Sequence, residues 1–194
     1  LTLALTATAA TGAMNYESAA TGALTLDAVS TAGNNLTISH AGNIAATSVT
    51  TTTGNQTIST SGGTIAVTDI NASSGAVNIT GTGDITIANT GSITATGAAN
   101  IDIDASAGHI RSNAGHDDAA EIITAGGTIS LEARDGIADS SGADGFEIDS
   151  GGGNVTLVAD GTGAVFVDYV AADADALTLA LTATAATGAM NYES

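Results

Sequence analysis

Twenty acidic side chains against two basic ones make carboxylate chemistry the kind this chain is best equipped for. Asp102 and Asp104 alternate with Ile101 and Ile103, so both carboxylates share one side of a strand whose isoleucines face inward. Further groupings are His116, Asp117 and Asp118; Asp144, Glu147 and Asp149; and Asp173 with Asp175. Hard carboxylate oxygens suit Ca²⁺, which makes Asp102, Asp104, Asp117 and Asp118 the candidate metal ligands. The glycine–aspartate nonapeptide that wraps Ca²⁺ in β-rolls is missing, since Gly81, Thr82, Gly83 and Asp84 lack the rest of it. The same acids fit a solvated acidic face, and no other cofactor is expected.

Other chemistry has less to draw on. Polysaccharide-cleaving sites need paired acids or an acid beside a base, and here Lys is absent while Arg111 and Arg134 stand apart. A Ser-His-Asp set could include His109 or His116, but no nucleophile motif accompanies either, so the chain is not expected to be an enzyme. Thr6 with Thr8, residues 50–53 and Thr94 with Thr96 suggest rows that could order water, yet they do not recur at one fixed spacing. Asn35, Asn55, Asn71, Asn78 and Asn154 head Asn-x-Ser/Thr sequons, little above the number that composition alone produces. A net charge of −18 excludes nucleic acid as a partner and disfavours anionic membrane surfaces, and no run is apolar enough for direct membrane insertion. With no Cys there is neither a disulfide framework nor a thiolate metal site.

The elements that would carry these groups are short and repetitive. Residues 1–18, LTLALTATAATGAMNYES, recur unchanged at 177–194, an offset of 176. That predicts one complete repeat unit over 1–176 and the first coil of the next identical unit over 177–194. Inside the unit, pairs of apolar residues one apart keep returning between turns rich in Gly and Asn: Leu36/Ile38, Ile65/Val67, Ile85/Ile87, Ile101/Ile103, Ile129/Leu131, Val155/Leu157. Such alternation reads as strand, and no helical period is sustained from Ala23 to Gly163. In several copies a third apolar residue follows six later, as Ile44 follows Ile38. Two strands joined by a bend, then a third, make one coil of a parallel β-helix.

Taking Leu1, Leu24, Leu36, Ile65, Ile85, Ile101, Ile129 and Val155 as coil leaders gives roughly eight coils per unit, a length of roughly 40 Å. The interval from Leu24 to Leu36 is too short for a full turn, so some leaders are misplaced. Inward Ile, Val and Leu should form ladders, small residues should fill the corners, and Asn at equivalent bends could stack its amides. Absence of Pro fits strands that must donate on both sides. The fold expected is all-β, a right-handed parallel β-helix. A string of Ig-like sandwiches ranks second, because sandwich cores need longer strands and more aromatics. Residues 1–100 hold four acids and residues 101–176 fifteen, so one half of the unit is Thr-rich and the other acidic. The Ala-rich stretch 168–186 reads as strand rather than helix.

NNLTISHAGNIAAT (34–47), the run GGTIAVTDINASSGAVNITGTGDITIANTGSITATG (62–97) with its continuation to 115, and GGTISLEARDGIADSSG (126–142) resemble the repeats of filamentous haemagglutinin-type exoproteins. These are the secreted partners of two-partner secretion systems in Gram-negative bacteria. The resemblance implies a β-helical shaft exported to the cell surface or beyond it, with a part in adhesion or surface structure. The expected function is therefore a structural segment of an extended extracellular filament or adhesin stalk. Its partners would be identical repeats stacked end to end, with lateral filament contacts, and the alternative is an acidic-face module for Ca²⁺ or a cationic ligand.

Overall fold

The computed structural model describes residues 3–113, 119–139, 145–170 and 188–193. Among these there is no helix, and every strand pairing is parallel. The chain winds as a β-solenoid. Its first turn holds β1 (Leu3–Ala9) and β2 (Met14–Ser18), its second β3 (Leu24–Thr31) and β4 (Leu36–His40). Next come β5 (Ile44–Ala46), β6 (Val49–Thr51) and β7 (Gln56–Thr60), then β8 (Ile65–Ala72) and β9 (Val77–Gly81). The fifth turn is β10 (Ile85–Ala95) with β11 (Ile101–Ala105). The sixth is β12 (His109–Ser112), β13 (Ile122–Thr124) and β14 (Ile129–Ala133). The seventh is β15 (Gly136–Asp139), β16 (Phe146–Asp149) and β17 (Val155–Ala159). β18 (Val165–Tyr169) begins another turn, and β19 (Met190–Glu193) pairs with it.

The wall has three faces. β2, β4, β7, β9, β11, β14 and β17 form a seven-stranded sheet, one strand per turn. The twelve-stranded sheet covers the other two faces, because its long strands bend. In β3 two exposed residues, Asp27 and Ala28, separate buried Leu24 and Leu26 from buried Val29 and Thr31, and β5 and β6 pair with the two halves separately. The unit thus has about seven turns rather than eight. The apolar phrase is the same on different faces, so Leu24 and Leu36, taken as successive leaders, belong to one turn. Gln56 heads a strand that no apolar leader announces.

Side chains alternate in and out, and the inward ones stack from turn to turn. Leu24, Ile44, Ile65, Ile85, Ile110 and Ile137 form one ladder, and Ile38, Ile58, Ile79, Ile103, Leu131 and Leu157 another. All of these are essentially fully buried. Each such side chain contributes about 1.5–3 kcal/mol by leaving water. Parallel pairing buried on one side and stacked above and below excludes a string of antiparallel sandwiches.

Asn works at the corners by a different route from amide stacking. Asn35 Oδ1 accepts the Asn55 backbone N–H at 3.0 Å, and Asn55 Oδ1 accepts that of Ala76 at 2.9 Å. Asn43 does the same for Thr64 and Asn100 for Thr128, each at 3.0 Å. Each side chain clamps the turn that follows. The stretch 171–187, which contains most of the second copy of the opening phrase, lies outside the described residues, as does the expected strand there.

Candidate functional site

The expected acidic strand is in place. Ile101 and Ile103 are buried on β11, while Asp102 is exposed and Asp104 half-buried on the outer surface of the seven-stranded sheet. Asp102 lies between Asn78 and Ser130 on the neighbouring strands, and Asp104 between Thr80 and Glu132. A shallow groove runs beside Asp102, lined also by Ala76, Asn78, Asn100, Thr128 and Ser130. Partial burial, with Asp102 and Asp160 nearby, raises the Asp104 carboxyl above its ordinary range. Asp117 and Asp118, the other candidate ligands, lie outside the described residues. Among the described residues no three His, Cys, Asp or Glu side chains are placed to hold one metal ion.

His109 is engaged in the wall. Its backbone N–H donates to Asp84 Oδ1 at 2.9 Å, and its ring Nδ1 lies 3.2 Å from the same oxygen. Burial acts to raise Asp84, but the two His109 contacts and the charges of His109 and Arg111 outweigh it and hold the carboxyl below its ordinary value. The contact repeats the corner clamp that Asn supplies on other turns. The Thr runs do not make a flat array either. The outward column containing Thr8, Thr50 and Thr94 also contains Ser30, Asn71 and Ile123.

A different pair of acids stands out. Glu121 and Glu147 sit one residue before the paired Ile122 and Ile148, at equivalent points of consecutive turns. Both are almost fully buried, 2% and 1% exposed. Ser112 Oγ donates to Glu121 Oε1 at 2.9 Å, and the Glu147 backbone N–H donates to Oε2 at 2.8 Å. Burial is the main force on this carboxyl and pushes it up to about 7, aided by the neighbouring Glu147 and opposed by the two hydrogen bonds. A groove of about 310 Å³ opens beside it, lined by residues 89–92, Ala119 and Ala120. A carboxyl that titrates near neutrality can exchange a proton at physiological pH. Here both oxygens are taken up by hydrogen bonds from the wall, which suits a structural group.

No protein-family model, curated protein or solved structure matches the chain. Function must therefore be argued from the shape and the register.

Sequence patterning missed the Glu121–Glu147 pair because both glutamates occupy outward positions by alternation. Both are nevertheless buried in the wall. Glu147 was visible only as part of an acidic grouping with Asp144 and Asp149. Aligning the residue before each Ile of this face, Glu121 with Glu147, would have been the signal.

Two further polar groups were also invisible. His40, 4% exposed, places Nε2 2.6 Å from the Gly22 carbonyl, and Thr60 on the next turn donates to the Gly42 carbonyl at the same distance. Gln56 is fully buried, donating through Nε2 to Asn71 O and Thr51 Oγ1. Both side chains brace corners from inside.

Proposed function

We propose that this chain is a shaft segment of a giant bacterial surface protein. It would lie outside a Gram-negative cell, in tandem with identical units stacked end to end as an extracellular filament or adhesin stalk. The observation that carries the proposal is uninterrupted parallel pairing along one direction. Among the described residues the seven-stranded sheet runs from β2 to β17 with one strand per turn, and no described strand lies beyond either end. An open edge of parallel strand is a template for another. The exact recurrence of residues 1–18 at 177–194 supplies a continuation from the same sequence. Export to the cell surface rests on the resemblance to filamentous haemagglutinin-type repeats, and the absence of Cys and Pro is compatible with it.

In such a shaft the ladders of Ile and Leu carry the load, while the outer face of Asn, Thr, Ser and Asp keeps the filament hydrated. Lateral contacts between filaments would use these outer faces. Catalysis has no part in the proposal.

The test is a series of proteins with one, two and three units, measured by small-angle scattering. Seven turns at the strand spacing predict that each unit adds about 35 Å to the longest dimension at constant cross-section. A longest dimension that stays flat as units are added would defeat the proposal.

A further inference from the structure

The four residues Met-Asn-Tyr-Glu stand at two different places in the solenoid. As part of β2 they lie in the seven-stranded sheet, with Met14 opposite Leu36 and Tyr16 opposite Ile38. As β19 they lie on β18 in the twelve-stranded sheet, with Met190 opposite Val165 and Tyr192 opposite Val167. The last strand of the seven-stranded sheet is β17, and β19 is not its partner. We infer that consecutive units join out of phase, so that the shaft turns by one of its three faces at every joint. This rests on the proposed tandem shaft and adds to it the identity of the joining surfaces: β18 of one unit meets the Met14–Glu17 segment of the next.

Chain length supports the placement independently. On the seven-stranded sheet the leading residues Met14, Leu36, Gln56, Val77, Ile101, Ile129 and Val155 are between 20 and 28 residues apart. From Val155 to Met190 is 35 residues, too long for one such turn and too short for two. From Val165 to Met190 is 25, an ordinary turn. The extra third of a turn is therefore built into the 176-residue offset.

The phrase itself tolerates either face. Met14 and Tyr16 stand in register with buried Leu36 and Ile38, and Met190 and Tyr192 take the register positions opposite buried Val165 and Val167. Asn15 and Glu17 are exposed on β2, and Asn191 is exposed on β19. Small per-repeat rotations set the twist of any solenoid, and a rotation by one face per unit winds each outer column helically around the shaft. The Asp102 face of one unit would then be displaced from that of its neighbours and return after three units.

The absence of Cys allows a direct test in the chain as it stands. Outward register partners on adjacent parallel strands lie within disulfide reach. Three double variants are compared under mild oxidation: Asn15→Cys with Thr37→Cys, Phe166→Cys with Asn191→Cys, and Thr156→Cys with Asn191→Cys. The first pair is the control for β2 on β4, and circular dichroism confirms that each variant keeps its β-structure. Cross-linking of the first and second pairs, with the third remaining reduced, is the expected result. Cross-linking of position 191 to 156 in place of 166 would put the units in phase and overturn the inference, while leaving the shaft intact. Failure of position 191 to link to either, with the control linked, would mean that the second copy does not stack at all, and would remove both the inference and the shaft.

Discussion

Glu121 is the residue whose behaviour departs furthest from its type. Its carboxyl titrates at about 7 in the folded chain, against 4.5 for an ordinary glutamate. Between those values the folded state holds a proton that the unfolded chain has released. Stability is therefore highest at acid pH, declines as pH rises from 4.5 through 7, and levels off above. The contribution is on the order of 2 kcal/mol after allowance for screening at the groove. Asp104, also raised, acts in the same direction, and Asp84, lowered, acts in the opposite one, so the decisive comparison is with Glu121→Gln. That variant removes the titration while leaving a partner for the Ser112 hydroxyl, which can rotate to donate or accept. Urea unfolding at about pH 5 and about pH 8.5 should show a much smaller pH difference for Glu121→Gln, with the variant the more stable at the higher value. An undiminished slope would show that the proton sits elsewhere. Nothing in the residue type foretells this, because alternation assigns Glu121 to solvent while the fold buries it.

At the level of the element, strands were legible and their order around the wall was not. Alternating pairs such as Ile101/Ile103 announce a strand on any face, because every face uses the same inward chemistry. Turn residues carry the missing information, and they do so through close approach of one turn to the next. A methyl group on Gly75 would run into the Gly54 carbonyl, and one on Gly54 into that of Asn34. The obstructing atoms are backbone on both sides and cannot yield without parting the turns. Gly75→Ala is expected to cost about 2–3 kcal/mol, in the range of an overpacked interior. Asn55→Ala removes a clamp between the same turns, an exposed hydrogen bond of 2.9 Å to Ala76, and should cost about 1 kcal/mol. Asn55→Asp, which keeps the accepting oxygen, should lose less than Asn55→Ala. Urea midpoints of the three variants rank them, and Asn55→Ala falling below Gly75→Ala would mean that the turns are not in contact at this corner. Buried Gln56 marks the limit of pattern reading, since a polar leader hid the whole of β7.

Over the whole molecule the distribution of charge decides what the ladders must overcome. The inward columns are much alike from end to end, yet fifteen of the acids fall in residues 101–176 and four in residues 1–100. Stacking at the strand spacing brings like charges in successive turns within a Debye length of one another, and only two basic side chains oppose them. Self-repulsion should therefore weaken the later turns more than the earlier ones. A solenoid contacts only its nearest turns, so this weakness stays local instead of spreading through one core. Raising the salt from about 10 mM to about 0.3 M shortens the Debye length to well under the width of the shaft and should relieve it. Amide exchange at Ile103 and Leu131 is expected to slow several-fold on that change, while exchange at Ile38 and Ile58 changes little. All four residues sit in the same inward column on strands of the seven-stranded sheet that are paired on both sides, so packing and hydrogen bonding are matched and charge is the variable. Equal slowing at all four would show that the shaft responds as one cooperative body and that its acidic half is not the weaker one.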